Sequence, residues 1–128
     1  MRNKNLFVPG TIVITDYRDF DGKVRQGDFC ILYDEALDDN VDHKYNVVAV
    51  KVTTSQKQLT AYTVPLTYDD KNSFFKEFSY ACCSKIHVMS KSSIKGALGR
   101  LDDETYLRVY KTYKKFLNEM DKQLTNYL

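Results

Sequence analysis

Apolar residues in this chain change their spacing once, near residue 100, and the change separates a β-rich part from a single helix. Before it, Val48, Val50 and Val52 alternate with Ala49, Lys51 and Thr53, the period of two expected of a strand buried on its valine side and open on the other. After it, Tyr106, Val109, Tyr110, Tyr113, Phe116, Leu117, Met120 and Leu124 recur at helical spacing. Asp102, Asp103 and Glu104 precede them and supply a cap and acids for the first turn. Strands first and one helix last predict a mainly β, α+β fold: a small β-barrel or strongly bent sheet decorated by helices.

Other segments fill in the β part. Residues 11–17 are β-branched and largely apolar, and they break at Asp19-Phe20-Asp21-Gly22, whose Asp-Gly step is a hairpin signal. Residues 27–33 are apolar enough for a strand buried on both faces. An acidic stretch holding Asp34, Glu35, Asp38, Asp39 and Asp42 ends it, and reads as a solvated loop with His43 beside it. A further strand is predicted over 59–64, closed by Pro65. Another is predicted over 80–89, where Lys85 and His87 share one face. Residues 92–97 read as a short helix or turn, with Gly99 separating it from the last helix.

At 128 residues and 43% hydrophobic, the chain fits one domain spanning 1–128. No apolar run nears the roughly 20 residues that cross a bilayer, so no membrane span or signal peptide is expected. Cys30, Cys82 and Cys83 are odd in number and lack metal-ligand spacing, which points to reduced thiols in a cytoplasmic protein. The adjacent pair cannot both face one core from a regular strand, so one of the two is expected to be accessible. A net charge of +2 does not by itself announce nucleic acid; the placement of charge matters more.

Two segments place a fixed cation and a hydroxyl cluster on β elements: the hairpin leading to Lys23-Val24-Arg25, and the strand ending Lys51-Val52-Thr53-Thr54. Together they could hold a phosphodiester. Arg25 offers a guanidinium that fits phosphate bidentately, and Thr53 can position but not act as a base near neutral pH. Among the ten tyrosines, Tyr17 and Tyr62 are the candidates for stacking on bases, since Tyr106, Tyr110 and Tyr113 fit the buried helix face. His87 is expected as a half-buried strand residue.

Several motifs, in order, resemble the MazF/PemK-like toxins: Pro9-Gly10-Thr11-Ile12-Val13, Gly22-Lys23-Val24-Arg25, Val52-Thr53-Thr54-Ser55, residues 83–91, and Gly99-Arg100-Leu101-Asp102-Asp103-Glu104. The resemblance implies the SH3-like, MazF-like barrel, a homodimer, and a ribosome-independent endoribonuclease of a type II toxin-antitoxin system, neutralised by an antitoxin peptide. It implies RNA cleavage without metal or other cofactor, giving 2′,3′-cyclic phosphate and 5′-hydroxyl ends. Carried over by position, Arg25 and Thr53 are the catalytic residues, the latter chosen over Thr54 by strand parity. Asp21, Gly22, Lys23, Lys51, Thr54, Lys85 and His87 are the expected substrate contacts. The alternative is an inactive barrel that binds nucleic acid or protein as a regulator, a mobile element being one origin for it.

Overall fold

The computed structural model describes residues 7–34, 46–67 and 71–127. Six strands follow in sequence: β1 (Thr11–Arg18), β2 (Val24–Asp34), β3 (Asn46–Thr53), β4 (Thr63–Pro65), β5 (Tyr80–Ser90) and β6 (Ile94–Arg100). The helix α1 (Asp103–Asn126) closes the chain. The strands form one antiparallel sheet in the order β4-β5-β3-β2-β1-β6. Its ladder is open between β4 and β6, so the expected barrel is realised as a sheet with two edges. One edge strand, β4, has only three residues and ends at Pro65, which has no N–H to donate to a further ladder.

The Asp-Gly hairpin forms as its sequence predicts. Gly22 adopts φ +87°, a conformation open to glycine and strained for other residues, and donates to the Asp19 carbonyl at 3.0 Å. The Lys23 N–H donates to the carboxylates of both Asp19 and Asp21 at 3.1 Å. This turn sets a regular β1–β2 register from Arg18–Val24 to Ile12–Cys30.

Apolar residues are buried on both sides of the sheet. Under α1, a core gathers Ile12, Cys30, Leu32, Val48, Val50 and Val52 with Val109 and Tyr113 of the helix. On the opposite side Val13, Phe29, Ile31, Val47 and Ala49 form a second, smaller cluster, flanked by Tyr17, Met89 and Ile94. The alternation in β3 is therefore correct for its valine side. The other side is open only at its end, because Val47 and Ala49 are buried and Lys51 and Thr53 are half-buried.

The helix is anchored at its start. Asp102 caps it by accepting from the Thr105 N–H, and Asn72 clamps the cap by donating to the Asp102 carboxylate and the Leu66 carbonyl while accepting from the Asp102 N–H. Thr105, Val109 and Tyr113, four residues apart, form its buried line. The Tyr106 hydroxyl donates to the Leu32 carbonyl at 2.7 Å and ties the helix to β2.

Three local expectations are corrected. The strand read over 59–64 reduces to β4, after a 3-10 turn at Gln56–Gln58. The Thr60 N–H donates to the Thr63 hydroxyl and the Tyr62 N–H to the Thr60 hydroxyl, so side chains supply the bonds that a ladder would have made. Of residues 92–97, read as a short helix or turn, the first two do lie in a 3-10 turn at Lys91–Ser93, but the rest enter β6, which pairs with the free edge of β1 and includes Gly99. Cys82 and Cys83 are both buried on opposite sides of β5: Cys83 joins the core under α1, and Cys82 lies within the ladder between Lys51 of β3 and Thr63 of β4. Glu35, Asp38, Asp39, Asp42 and His43 lie outside the described residues; Asp34 ends β2 and pairs with Lys91 at 2.7 Å. Among the described residues, no helix is long and apolar enough to cross a membrane.

Candidate functional site

Where the β2–β3 ladder ends, at the pair Asp28–Val52, the two strands line a cleft of about 250 Å³. Strand β2 contributes Gln26, Gly27 and Asp28, and strand β3 contributes Lys51, Val52 and Thr53. Thr54 and Ser79 complete the lining.

Register decides which residues share this end of the sheet. Phe29 lies opposite Lys51, and the unbroken β1–β2 pairing keeps Arg25, Gly27 and Phe29 on one side of β2. Arg25 therefore faces the same side of the sheet as Lys51 and Thr53. It does not line the cleft. Its guanidinium, half-exposed, donates from Nε to the Asp19 carboxylate across the hairpin. Asp21, Gly22 and Lys23 form the turn beyond it, and Arg18 donates to the Gly22 carbonyl at 2.7 Å.

Lys51 is the most constrained cation of the site. Its Nζ lies 5.1 Å from the Tyr17 ring centroid and 5.3 Å from that of Phe29, and donates to the Val52 carbonyl at 2.9 Å. A Cβ on Gly27 would come within 2.9 Å of that nitrogen and 2.7 Å of the Tyr17 ring, so the ammonium uses the space that glycine leaves. Burial lowers the Lys51 pKa, opposed by the charges of Asp28 and Cys82 and reinforced by Lys85. Burial likewise raises the Asp28 carboxyl above its ordinary value, against the pull of Lys51.

Thr53 accepts from the Ser55 N–H at 3.1 Å, which fixes the turn after β3 and leaves the hydroxyl proton free to donate. His87, half-buried, packs edge-on against Phe29 at 4.8 Å and Tyr17 at 6.2 Å. Its pKa is lowered by burial first and by Lys51 and Lys85 next. The β3–β5 register jumps from Val50–Ile86 to Lys51–Cys82, and the exposed Lys85 lies in that irregular stretch.

The cleft thus gathers Lys51, Thr53 and Thr54 of the expected contacts, with His87 and Lys85 alongside Lys51 on β5. Arg25 and the hairpin residues Asp21, Gly22 and Lys23 stand outside the lining. Tyr17 forms the wall of the lysine site, whereas Tyr62 bonds to Glu119 and packs on Phe116 of the helix. Asp28 was not among the expected residues; its signal is a carboxylate inside the apolar run 27–33, where a buried strand should have none. Among the described residues, no three His, Cys, Asp or Glu side chains gather into a group that could hold a metal ion.

No protein-family model matches the sequence, and no curated protein matches it. Solved structures do. MazF from Deinococcus radiodurans superposes with a TM-score of 0.65 at 12% identity, covering 86% of this chain and 94% of that one. The Mycobacterium tuberculosis toxin MazF-mt6 gives 0.62 at 18% identity, over 84% and 96%. An endoribonuclease from Mycobacterial species, solved in complex with its cognate antitoxin, gives 0.62 at 17%, over 86% and 93%. The open antiparallel sheet with its C-terminal helix is a MazF-like fold.

Proposed function

We propose that this chain, as one domain over residues 1–128, is a ribosome-independent endoribonuclease of the toxin type, held in check by an antitoxin peptide. The observation that carries the reading is that Arg25, Lys51 and Thr53 share one side of a MazF-like sheet, Lys51 and Thr53 where the β2–β3 ladder ends and Arg25 on the hairpin beyond it. Neighbours of this fold are described as toxins and endoribonucleases, one of them bound to its cognate antitoxin.

The chemistry suits RNA. The ribose 2′-OH is an internal nucleophile, so the site needs a cation for the charge that develops on phosphorus, a hydrogen-bond donor to orient the phosphate, and proton transfer. Arg25 supplies the cation once substrate draws it from Asp19, and Thr53 the oriented hydroxyl. Such a site needs no metal and leaves a 2′,3′-cyclic phosphate and a 5′-hydroxyl. A homodimer acting in the cytoplasm completes the proposal, and sedimentation of the purified protein tests the dimer.

The deciding experiment is RNA cleavage in EDTA by wild type and Arg25→Ala, with mapping of new 5′ ends. Cleavage with 5′-hydroxyl ends by wild type alone supports the nuclease. The engagement of Arg25 by Asp19, outside the cleft, favours a second reading: an inactive barrel that binds RNA or a protein through the same surface. Intact RNA with saturable, salt-dependent binding decides for that alternative.

A further inference from the structure

Helix α1 carries its charge unevenly. Asp103 and Glu104 open it, and Arg108, Lys111, Lys114 and Lys115 follow with no acid before Glu119. At 3.6 residues per turn, Lys111, Lys114, Lys115, Asn118 and Lys122 fall on one stripe, opposite the buried Thr105, Val109 and Tyr113. All five are exposed. They line a groove of about 400 Å³ on the outer face of the helix, bordered by Tyr110 and Glu119. Lysines on a wet helix face are ordinarily offset by acids one turn away. Here the only carboxylate three or four residues from any of the four is Glu119, which accepts from the Tyr62 hydroxyl. None of the four lysines forms an ion pair with a described side chain. Four ammonium groups therefore stand along roughly 16 Å of helix without a counter-charge on it.

What this face fits follows from what it lacks. From Lys111 to Lys122 the stripe holds no apolar side chain, and the Tyr110 ring at its border already packs against Tyr106 and Tyr113. A protein partner docks through buried apolar or aromatic anchors, with charge at the rim. A row of ammonium groups suits a ligand held by charge alone, the phosphate row of a nucleic-acid strand. Resting on the ribonuclease reading above for the identity of that strand, we infer that the outer face of α1 is an accessory site that holds the substrate RNA by its backbone, away from the cut. The two sites are separate. The helix packs on the side of the sheet that carries Cys30, Val50 and Val52, whereas Arg25, Lys51 and Thr53 face the other side. A short oligonucleotide in the cleft does not reach the outer face of the helix, but a long transcript engages both, and its second contact becomes intramolecular. Such a hold reads no base sequence and weakens with salt.

The test combines Lys111→Gln, Lys114→Gln, Lys115→Gln and Lys122→Gln, since glutamine keeps helix propensity and removes only the charge. A cut made by wild type in a long transcript is mapped, and a short oligonucleotide spanning that cut is made. At low salt the variant is expected to raise KM for the transcript by about tenfold or more, with kcat unchanged and both constants for the oligonucleotide unchanged, which also shows that it is folded. With a 2′-O-methyl copy of the transcript, which lacks the nucleophile, the slope of log affinity against log salt should fall by up to about 3, as four phosphate contacts on a single strand require. An unchanged KM and an unchanged slope overturn the accessory site while leaving the nuclease standing. So does an oligonucleotide impaired as much as the transcript, because the lysines would then act through the cleft or the fold. Loss of poly-glutamate binding with RNA unaffected overturns it in favour of an acidic protein. A wild type that cuts no transcript overturns the ribonuclease reading, and the accessory site for its substrate with it.

Discussion

The ammonium of Lys51 lies over Gly27, close enough that a β-carbon there would meet it at 2.9 Å and the Tyr17 ring at 2.7 Å. The lysine end could swing away at little cost, but Tyr17 packs on Phe29 and His87 and cannot. Gly27→Ala should therefore destabilise the fold by about 1–3 kcal/mol, as overpacking does. It should also release Lys51 from its aromatic seat and lower RNA cleavage beyond what the stability loss explains. Urea midpoints and cleavage rates measured well below the unfolding transition separate the two effects.

Asp19 and Arg25 pair across the hairpin, the guanidinium half-exposed and the carboxylate largely covered, and hydrogen bonding with Asp21 and then with Arg25 holds Asp19 below the ordinary carboxylate value. The carboxylate is thus ionised at neutral pH and engages the guanidinium until the pH falls through that lowered value. The ion pair itself contributes little at a half-exposed guanidinium, but Asp19→Ala also loses the bond from the Lys23 N–H in the turn, so the unfolding midpoint should fall modestly. Freed for phosphate, Arg25 should bind RNA more tightly, with a salt dependence steeper by about one contact. Titration of a labelled oligonucleotide at several salt concentrations checks this; unchanged affinity in Asp19→Ala refutes competition for Arg25.

Asn72 adopts φ 59° and makes the three bonds that join the Leu66 carbonyl to the helix cap at Asp102. Asn72→Ala loses those bonds and keeps a β-carbon in a left-handed backbone that alanine tolerates less well than asparagine, while Asn72→Gly loses the bonds and removes the β-carbon. The alanine variant should cost about 2–4 kcal/mol, and glycine about 1 kcal/mol less than alanine. Thermal or urea unfolding of the two variants gives the difference directly. Equal losses exclude a conformational contribution.

The hairpin, the valine side of β3 and the capped helix were legible because each rests on a local rule: an Asp-Gly turn, a period of two, an aspartate before a helical stripe. The β6 strand was not. Its Gly96 and Gly99 carry no strand signal, and it forms because β1 leaves an edge to be paired. Nor does local sequence show that Val47 and Ala49 are covered, since their cover comes from Val13, Phe29 and Ile31 on other strands. In the site, Lys51 and Thr53 were legible as the polar side of an alternating strand, whereas Arg25 was singled out by its place after the hairpin and by the family resemblance. The Asp19 clamp and the seat of Lys51 over Gly27 depend on pairings between strands, which no single segment contains.

His87 shows how that seat governs stability. Burial beside Phe29 and Tyr17, with Lys51 and Lys85 near, lowers its pKa in the folded state, so the unfolded chain binds the proton more readily. Stability is then fully present above the unfolded histidine value of about 6.5, falls as the pH drops from there through the lowered folded value, and levels off below it. His87→Gln removes this proton linkage and should flatten the difference in urea midpoint between pH 7.5 and pH 5. The remaining slope belongs to carboxylates such as Asp28. Its raised pKa acts in the opposite sense, adding stability as the pH falls into its own range, so Asp28→Asn should steepen the loss that His87→Gln relieves. A midpoint profile identical in wild type and His87→Gln means that the imidazole is solvated in solution, and the aromatic seat of Lys51 would then be open to water as well.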